Sequence, residues 1–122
     1  MRQIYVLEDN KDIGYILELL LVNEGYAVEV FENVERIEAK LPDQLPDLFL
    51  LDIMLPDGNG LALCQEIKEN PVMQHLPVVM MSANMDPKLV APEVKTDGFI
   101  AKPFDLYEVA GTLNSLLDPR LN

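Results

Sequence analysis

The stretch Leu48-Phe49-Leu50-Leu51-Asp52 is an apolar run that ends in a carboxylate. An unbroken run of large apolar residues is typical of a β-strand that is buried on both faces of a parallel sheet. Four similar short runs lie elsewhere in the chain, so that the candidate strands cover residues 4–7, 27–31, 48–51, 78–81 and 99–101. The second run has Glu29 at its centre, and this charge predicts a strand at or near an edge of the sheet.

Helical patterns alternate with these runs. Asn10 is a candidate N-cap for the first helix and Gly25 a candidate end, and Asn70-Pro71 ends the third. The predicted apolar faces are Ile13, Ile16, Leu17, Leu20 and Leu21 in the first helix, Val34, Ile37 and Leu41 in the second, Leu63 and Ile67 in the third, and Leu106, Val109, Ala110, Leu113, Leu116 and Leu117 in the last. A fourth helix should begin at Asp86-Pro87, but Pro92 would break its hydrogen bonding, so we expect it to be short, displaced or partly unwound.

The alternation of strands and helices predicts an α/β fold with three layers, in which helices cover both faces of a parallel sheet. Five strands joined by right-handed crossovers favour the doubly wound, flavodoxin-like (βα)5 arrangement with strand order 2-1-3-4-5. This order places the second strand at an edge, in agreement with Glu29. The 122 residues suit a single domain over residues 1–122 with no output domain, and an excised piece of a longer protein is the alternative.

Composition narrows the classes of function. A net charge of −12 argues against direct nucleic-acid binding, because an acidic surface repels phosphates. The single cysteine, Cys64, excludes an internal disulfide and favours a reducing compartment. The start of the chain has no signal-peptide core, and the longest apolar stretch, residues 13–22, contains Glu18 and is too short to span a bilayer. We therefore expect a cytoplasmic protein without membrane insertion.

Polar side chains follow four of the five predicted strands. Glu8 and Asp9 follow the first strand, Asp52 the third, Ser82 the fourth and Lys102 the fifth. Taken singly, most of them are more simply interpreted as turn or loop residues, whereas Asp52 is equally consistent with a loop cap and with a functional role. Because the carboxyl ends of parallel strands lie at the same end of the sheet, these polar side chains should lie close together there, which predicts a common site.

The chemistry of this set points to phosphate. Three carboxylates at low dielectric repel one another and need a cation, a proton or a lysine. Hard oxygen ligands favour Mg²⁺, which shares its coordination with water and phosphate, and Lys102 adds a fixed positive charge. A carboxylate beside such charges, on a loop that we expect to be open to solvent, is well placed to attack phosphorus.

Four motifs resemble the signature of the response-regulator receiver domain of two-component signalling. They are Glu8-Asp9, Asp52-Ile53-Met54-Leu55-Pro56-Asp57-Gly58-Asn59-Gly60, Ser82-Ala83, and the segment from Phe99 to Phe104, which ends in Lys102-Pro103-Phe104. The resemblance covers essentially the whole chain, and the segment that begins at Asp52 is its most specific part. It implies that Asp52 accepts a phosphoryl group from a histidine of a sensor kinase or a phosphotransfer protein.

The resemblance also implies a ligand set for Mg²⁺. Asp9, Asp52 and the main-chain carbonyl of Met54 would bind the ion directly, and Glu8 would act mainly through a bound water. Met54 and Asn84 flank the site, and we expect them to tune the lifetime of the acyl phosphate.

A switch follows from the same resemblance. Lys102 would pair with Asp52 and then with the phosphoryl group, the Ser82 hydroxyl would bind a phosphoryl oxygen, and Phe99 would move inward behind it. The Lys102-Pro103 bond is expected to be cis. The altered surface would lie near the fourth helix, the fifth strand and the fifth helix, where a downstream protein would bind or a phosphorylation-dependent dimer would form.

The chain departs from the usual family pattern at several positions. Glu8 replaces the commoner aspartate, Phe99 replaces tyrosine, and Lys95-Thr96 stands where Gly-Ala is usual. These changes leave the phosphorylation residues intact and bear on the output face. His75 is interpreted as a surface residue, and Met80, Met81 and Cys64 as core residues.

Two other functions are alternatives to the receiver. A haloacid-dehalogenase-type phosphatase would also use Asp52 as nucleophile, but it needs a second aspartate where this chain has Met54. The other alternative is a receiver-like interaction module that is not phosphorylated. The presence of Asp9, Asp52, Ser82 and Lys102 together argues against that alternative. Pro92, in contrast, favours altered signalling.

Overall fold

The computed structural model describes residues 1–83 and 95–118 of the chain. Its strands are β1 (Gln3–Leu7), β2 (Ala27–Phe31), β3 (Leu48–Asp52), β4 (Met54–Leu55), β5 (Gly58–Asn59), β6 (Val78–Ser82) and β7 (Gly98–Ala101). Its helices are α1 (Lys11–Asn23), α2 (Val34–Glu38), α3 (Gly60–Glu69) and α4 (Leu106–Leu117). None of these helices combines the length and the apolar character that crossing a bilayer requires.

Five of the strands form one parallel sheet in the order β2-β1-β3-β6-β7. Strands β4 and β5 form a separate antiparallel pair, so the order of the five sheet strands is the predicted 2-1-3-4-5. Each of the five apolar runs lies within a strand of this sheet. The flavodoxin-like prediction is confirmed, and β2, which carries Glu29, lies at an edge.

The core consists of two clusters, one on each face of the sheet. In β3, Phe49 and Leu51 belong to the cluster under α3, whereas Leu48 and Leu50 belong to the cluster under α1 and α4. This alternation follows from the two-residue period of a strand, and all four side chains are fully buried. An apolar run without interruption is therefore what a central strand with two covered faces requires.

Local capping explains where the helices begin and end. Asn10 accepts a hydrogen bond from the Ile13 amide at 3.0 Å, so the predicted N-cap of α1 is confirmed. At the other end Gly25 has a φ of 97°, and the Gly25 and Tyr26 amides donate to the carbonyls of Val22 and Leu21. This is a Schellman motif, and the positive φ explains the glycine at the predicted end of α1.

Three details of the helical predictions were wrong. Ile16 is 45% exposed, because the buried stripe of α1 consists of Gly14, Leu17 and Leu21. Leu106, at the first position of α4, is 44% exposed, because the buried stripe of that helix begins at Val109. Helix α2 ends at Glu38, so Leu41 lies beyond it in a turn. The predicted fourth helix, with Asn84 and Pro92, lies outside the described residues.

Candidate functional site

Asp52 is the last residue of the central strand β3 and is only 5% exposed. The expectation that it lies on a loop open to solvent was therefore wrong, because Asp52 still pairs with Met81 of β6 within the sheet. The neighbouring strand β1 ends at Leu7, so Glu8 and Asp9 follow at the same end of the sheet as Asp52. Sheet order and register thus bring the predicted carboxylates to one place.

Lys102 joins two of these carboxylates. Its Nζ donates to Glu8 Oε1 at 2.6 Å and to Asp52 Oδ2 at 2.8 Å. The lysine side chain is 14% exposed and both carboxylates are nearly buried. The Lys102 amide donates to the Ser82 carbonyl at 2.8 Å, which extends the pairing of β6 with β7 by one residue. The Lys102-Pro103 bond is cis, as predicted.

Burial and charge oppose each other at this ion-pair network. Burial lowers the pKa of Lys102, but the hydrogen bonds to Asp52 and Glu8 together with the negative charges of these two acids outweigh burial, so the pKa is raised. Burial also raises the pKa of Glu8, and the hydrogen bonds from Lys102 and from the Asn10 amide offset only part of that effect. Lys102 is therefore held in its charged form between two acids that have lost most of their contact with water.

A carboxylate cluster lies beside the lysine. Glu8, Asp9 and Asp52 each present an oxygen within 4.8 Å of the others, and Asp9 is the exposed member. Glu8 has both oxygens engaged, since Oε2 accepts from the Asn10 amide at 3.1 Å and Oε1 from Lys102. Lys102 bonds to Asp52 Oδ2, whereas Asp52 Oδ1 accepts from the Met54 amide at 3.3 Å. An all-oxygen set fits a hard ion such as Mg²⁺.

The backbone after Asp52 folds into a hairpin that the sequence analysis missed. Strands β4 and β5 pair Met54 with Asn59 and Leu55 with Gly58. The Met54 amide donates to Asp52 Oδ1 at 3.3 Å, so the main chain at Met54 lies beside the site. The sequence signal was present in Pro56-Asp57-Gly58, which is a typical turn sequence.

Gly60 closes the hairpin against β3. Its amide donates to the Ile53 carbonyl at 2.9 Å. A Cβ at this position would lie 1.9 Å from the carbonyl oxygen of Asp52, which no side chain can occupy. A glycine here is therefore a requirement of the backbone next to the site.

Further positions that the sequence singled out are Ser82, Phe99, His75 and Cys64. Ser82 is buried at the end of β6, and Phe99 is half-buried opposite Met80 and packs against the α3-side core. His75 is exposed, as expected. Cys64 is fully buried, and burial raises its thiol pKa to about 11, so it is an unreactive core residue.

Asp57 is a residue whose role the sequence analysis did not foresee. It lies at the tip of the hairpin, and its carboxylate accepts hydrogen bonds from the Val34 and Glu35 amides. No local sequence pattern predicts this contact, because its partners lie more than 20 residues away.

Comparisons with known proteins agree with this geometry. The transcriptional regulatory protein CreB of Escherichia coli strain K12 is 34% identical over 116 residues, which are 93% of this chain and 50% of CreB. The response regulator ArlR of Staphylococcus saprophyticus is 32% identical over 120 residues, which are 96% of this chain and 53% of ArlR. The chain thus spans about half the length of the curated relatives it matches.

A solved structure and a family match complete the comparison. The signal receiver domain of a signal transduction histidine kinase from Syntrophus aciditrophicus has a TM-score of 0.89 at 28% identity, and the match covers 96% of this chain and 90% of that one. The response regulator receiver domain family matches residues 4–114, a segment that contains every residue of the lysine and carboxylate cluster. The chain therefore belongs to the response regulator receiver domain family of two-component signalling.

Proposed function

We propose that the chain is a phosphorylatable receiver in which Asp52 accepts a phosphoryl group from a phosphohistidine of a sensor kinase or a phosphotransfer protein. A carboxylate oxygen of Asp52 forms the new O–P bond while the N–P bond breaks, and the electron pair of that bond returns to the imidazole nitrogen. The observation that carries the proposal is the bridge from Lys102 Nζ to Asp52 Oδ2 at 2.8 Å, beside an acidic cluster.

The charges around Asp52 support this transfer. A bound Mg²⁺ would neutralise charge on the transferring phosphoryl oxygens. Asp9, Asp52 and the Met54 carbonyl would hold the ion, which fits the oxygen cluster and the position of the Met54 backbone. Lys102 bonds to Asp52 Oδ2 and would pair with a phosphoryl oxygen.

Glu8 would act through Lys102 as well as through the metal. The resemblance implied a contact with the ion through a bound water, but the carboxylate lies 2.6 Å from the Lys102 ammonium. The longer side chain of glutamate, compared with aspartate, gives it this reach. We infer that Glu8 keeps Lys102 positioned while Asp52 is unmodified.

Phosphorylation would then act as a switch. It adds roughly −1.5 to −2 charges and new acceptor oxygens next to Asp52. Ser82 would bind one of these oxygens, and Phe99 would follow it inward. Ser82 would make this contact only in the phosphorylated state, and only an interaction that differs between two conformations can shift the balance between them. The readout would be contact with a downstream protein or a phosphorylation-dependent dimer. The receiver would be cytoplasmic and would catalyse only its own phosphorylation and dephosphorylation.

The proposal is tested by incubating the protein with Mg²⁺ and a small acyl phosphate and recording the intact mass. We expect an acid-stable, alkali-labile adduct of one phosphoryl group that is absent from the Asp52→Asn variant. The matched control is Asp43→Asn, which changes an exposed acid in the segment between α2 and β3 and should keep the adduct.

Two outcomes would contradict the proposal. An absence of adduct in the parent protein would favour an interaction module that is not phosphorylated. Steady release of phosphate from many phosphomonoesters would favour a phosphatase that uses Asp52 as nucleophile.

A further inference from the structure

The tip of the β4–β5 hairpin is attached to the start of α2. Asp57 Oδ1 accepts a hydrogen bond from the Val34 amide at 2.9 Å, and Oδ2 accepts one from the Glu35 amide at 3.1 Å. These are the first two amides of α2, which have no acceptor within the helix. The side chain of Asn33 caps the same helix separately, through the Arg36 amide at 2.9 Å.

The attachment is close and specific. A Cβ on Gly58 would lie only 3.1 Å from Val34 Cγ2, so the backbone after Asp57 packs directly against the first residue of α2. The hydrogen bonds from Val34 and Glu35 also lower the pKa of the Asp57 carboxyl, so the group stays ionised at neutral pH.

The hairpin depends on such an attachment because it is small. It contains two residue pairs, Met54 with Asn59 and Leu55 with Gly58. A two-stranded hairpin is marginally stable by itself, even when it is longer than this one. Met54 lies at the base of the hairpin, three residues before Asp57, and its amide contacts Asp52.

We propose that Asp57 is a positioning residue that holds the main chain at Met54 in place by fastening the tip of the hairpin to the N-terminus of α2. The inference rests on the proposed function, in which the Met54 carbonyl is a ligand of Mg²⁺. Asp57 does not contact the reacting atoms. It acts through the hairpin, and the same attachment couples the order of α2 to the binding of the ion.

The test compares Mg²⁺ binding by the parent protein and three variants, followed through the amide NMR signals of residues 52–60. Loss of a residue that orients a metal ligand typically weakens metal binding by 10- to 100-fold, and we expect a loss of roughly tenfold for Asp57→Ala. Asp57→Asn keeps one acceptor oxygen and should show a smaller loss. The matched control is Asn33→Ala, which removes the other cap of α2 but leaves the hairpin attached, and its affinity should stay within about twofold of the parent.

A second readout is hydrogen exchange at the start of α2, and its first comparison needs no metal. In Mg²⁺-free protein, hydrogen exchange at the Val34 and Glu35 amides should be faster in Asp57→Ala than in the parent. Addition of Mg²⁺ should slow this exchange in the parent and leave it nearly unchanged in Asp57→Ala, because the hairpin of the variant no longer connects the Mg²⁺ site to the start of α2.

Two results would overturn the inference alone. One is a parent that binds Mg²⁺ in a manner that depends on Asp52 while Asp57→Ala binds it equally well. The other is an equal loss in Asp57→Ala and Asn33→Ala, which would mean that only the stability of α2 matters. A parent that shows no Asp52-dependent binding of Mg²⁺ would overturn the proposed function, and the inference with it.

Discussion

At the scale of single residues, the site is organised by one lysine. Lys102 compensates two carboxylates, Glu8 and Asp52, that are 1% and 5% exposed. Buried charges of one sign are tolerated only when a partner of the other sign lies within hydrogen-bonding distance. Removal of Lys102 would therefore leave two acids uncompensated.

We expect Lys102→Met, which keeps most of the side-chain volume, to lower the free energy of unfolding at pH 8 without Mg²⁺ by about 3 kcal/mol. The folded state raises the pKa of Lys102, so its contribution is fully present below the ordinary value of 10.5 and is lost as the pH rises through the folded value. Urea unfolding of the parent and of Lys102→Met from pH 8 to pH 11 measures the difference in stability and its dependence on pH. Equal stabilities at pH 8 would contradict the prediction.

At the scale of elements, the junction between β3 and α3 is held by close backbone packing. The Gly60 amide donates to the Ile53 carbonyl, and the Asp52 carbonyl leaves no space for a Cβ at Gly60. The junction carries both Asp52 and the main chain at Met54. Its backbone geometry therefore bears on stability and on the proposed phosphorylation together.

Gly60→Ala should lower the free energy of unfolding by about 2 kcal/mol or more, because the β3–α3 backbone must move to make room for the Cβ. It should also slow adduct formation with the acyl phosphate. Gly111→Ala is the matched control, since a Cβ there meets no atom within 4 Å and alanine favours the interior of α4 by about 0.5–1 kcal/mol. A Gly60→Ala protein as stable as the Gly111→Ala protein would contradict the close packing.

At the scale of the whole molecule, the net charge of −12 opposes compaction. Part of that charge is concentrated at the carboxyl ends of the strands, where three carboxylate oxygens lie within 4.8 Å of one another. A divalent ion bound there would stabilise the folded protein by mass action, in addition to the general screening that any salt provides.

Mg²⁺ at a hundred times its dissociation constant should add about 2.7 kcal/mol to the stability of the folded protein. Calorimetry in Mg²⁺ and in NaCl of equal ionic strength separates this binding from screening. Asp9→Asn should abolish the difference between the two salts while it keeps the response to NaCl. A parent whose thermal midpoint is the same in both salts would contradict a specific site.

The sequence alone determined the α/β class, the strand order, the caps at Asn10 and Gly25, and the set of polar residues at the strand ends. These features follow from short-range periodicity and from the rule that parallel strands end together, so they are readable without coordinates. The motif around Asp52 likewise predicted the family, and residues 4–114 match it.

Only the tertiary structure decided the contacts between distant segments. The bridge of Lys102 to Glu8 spans 94 residues and the attachment of Asp57 to Val34 spans 23, and neither leaves a local pattern. The exposure of Ile16 was decided in the same way, because it is Gly14 of α1 that lies against Val30 of β2. Local periodicity defines which residues form an element, but side-chain reach and helix rotation depend on what packs against that element.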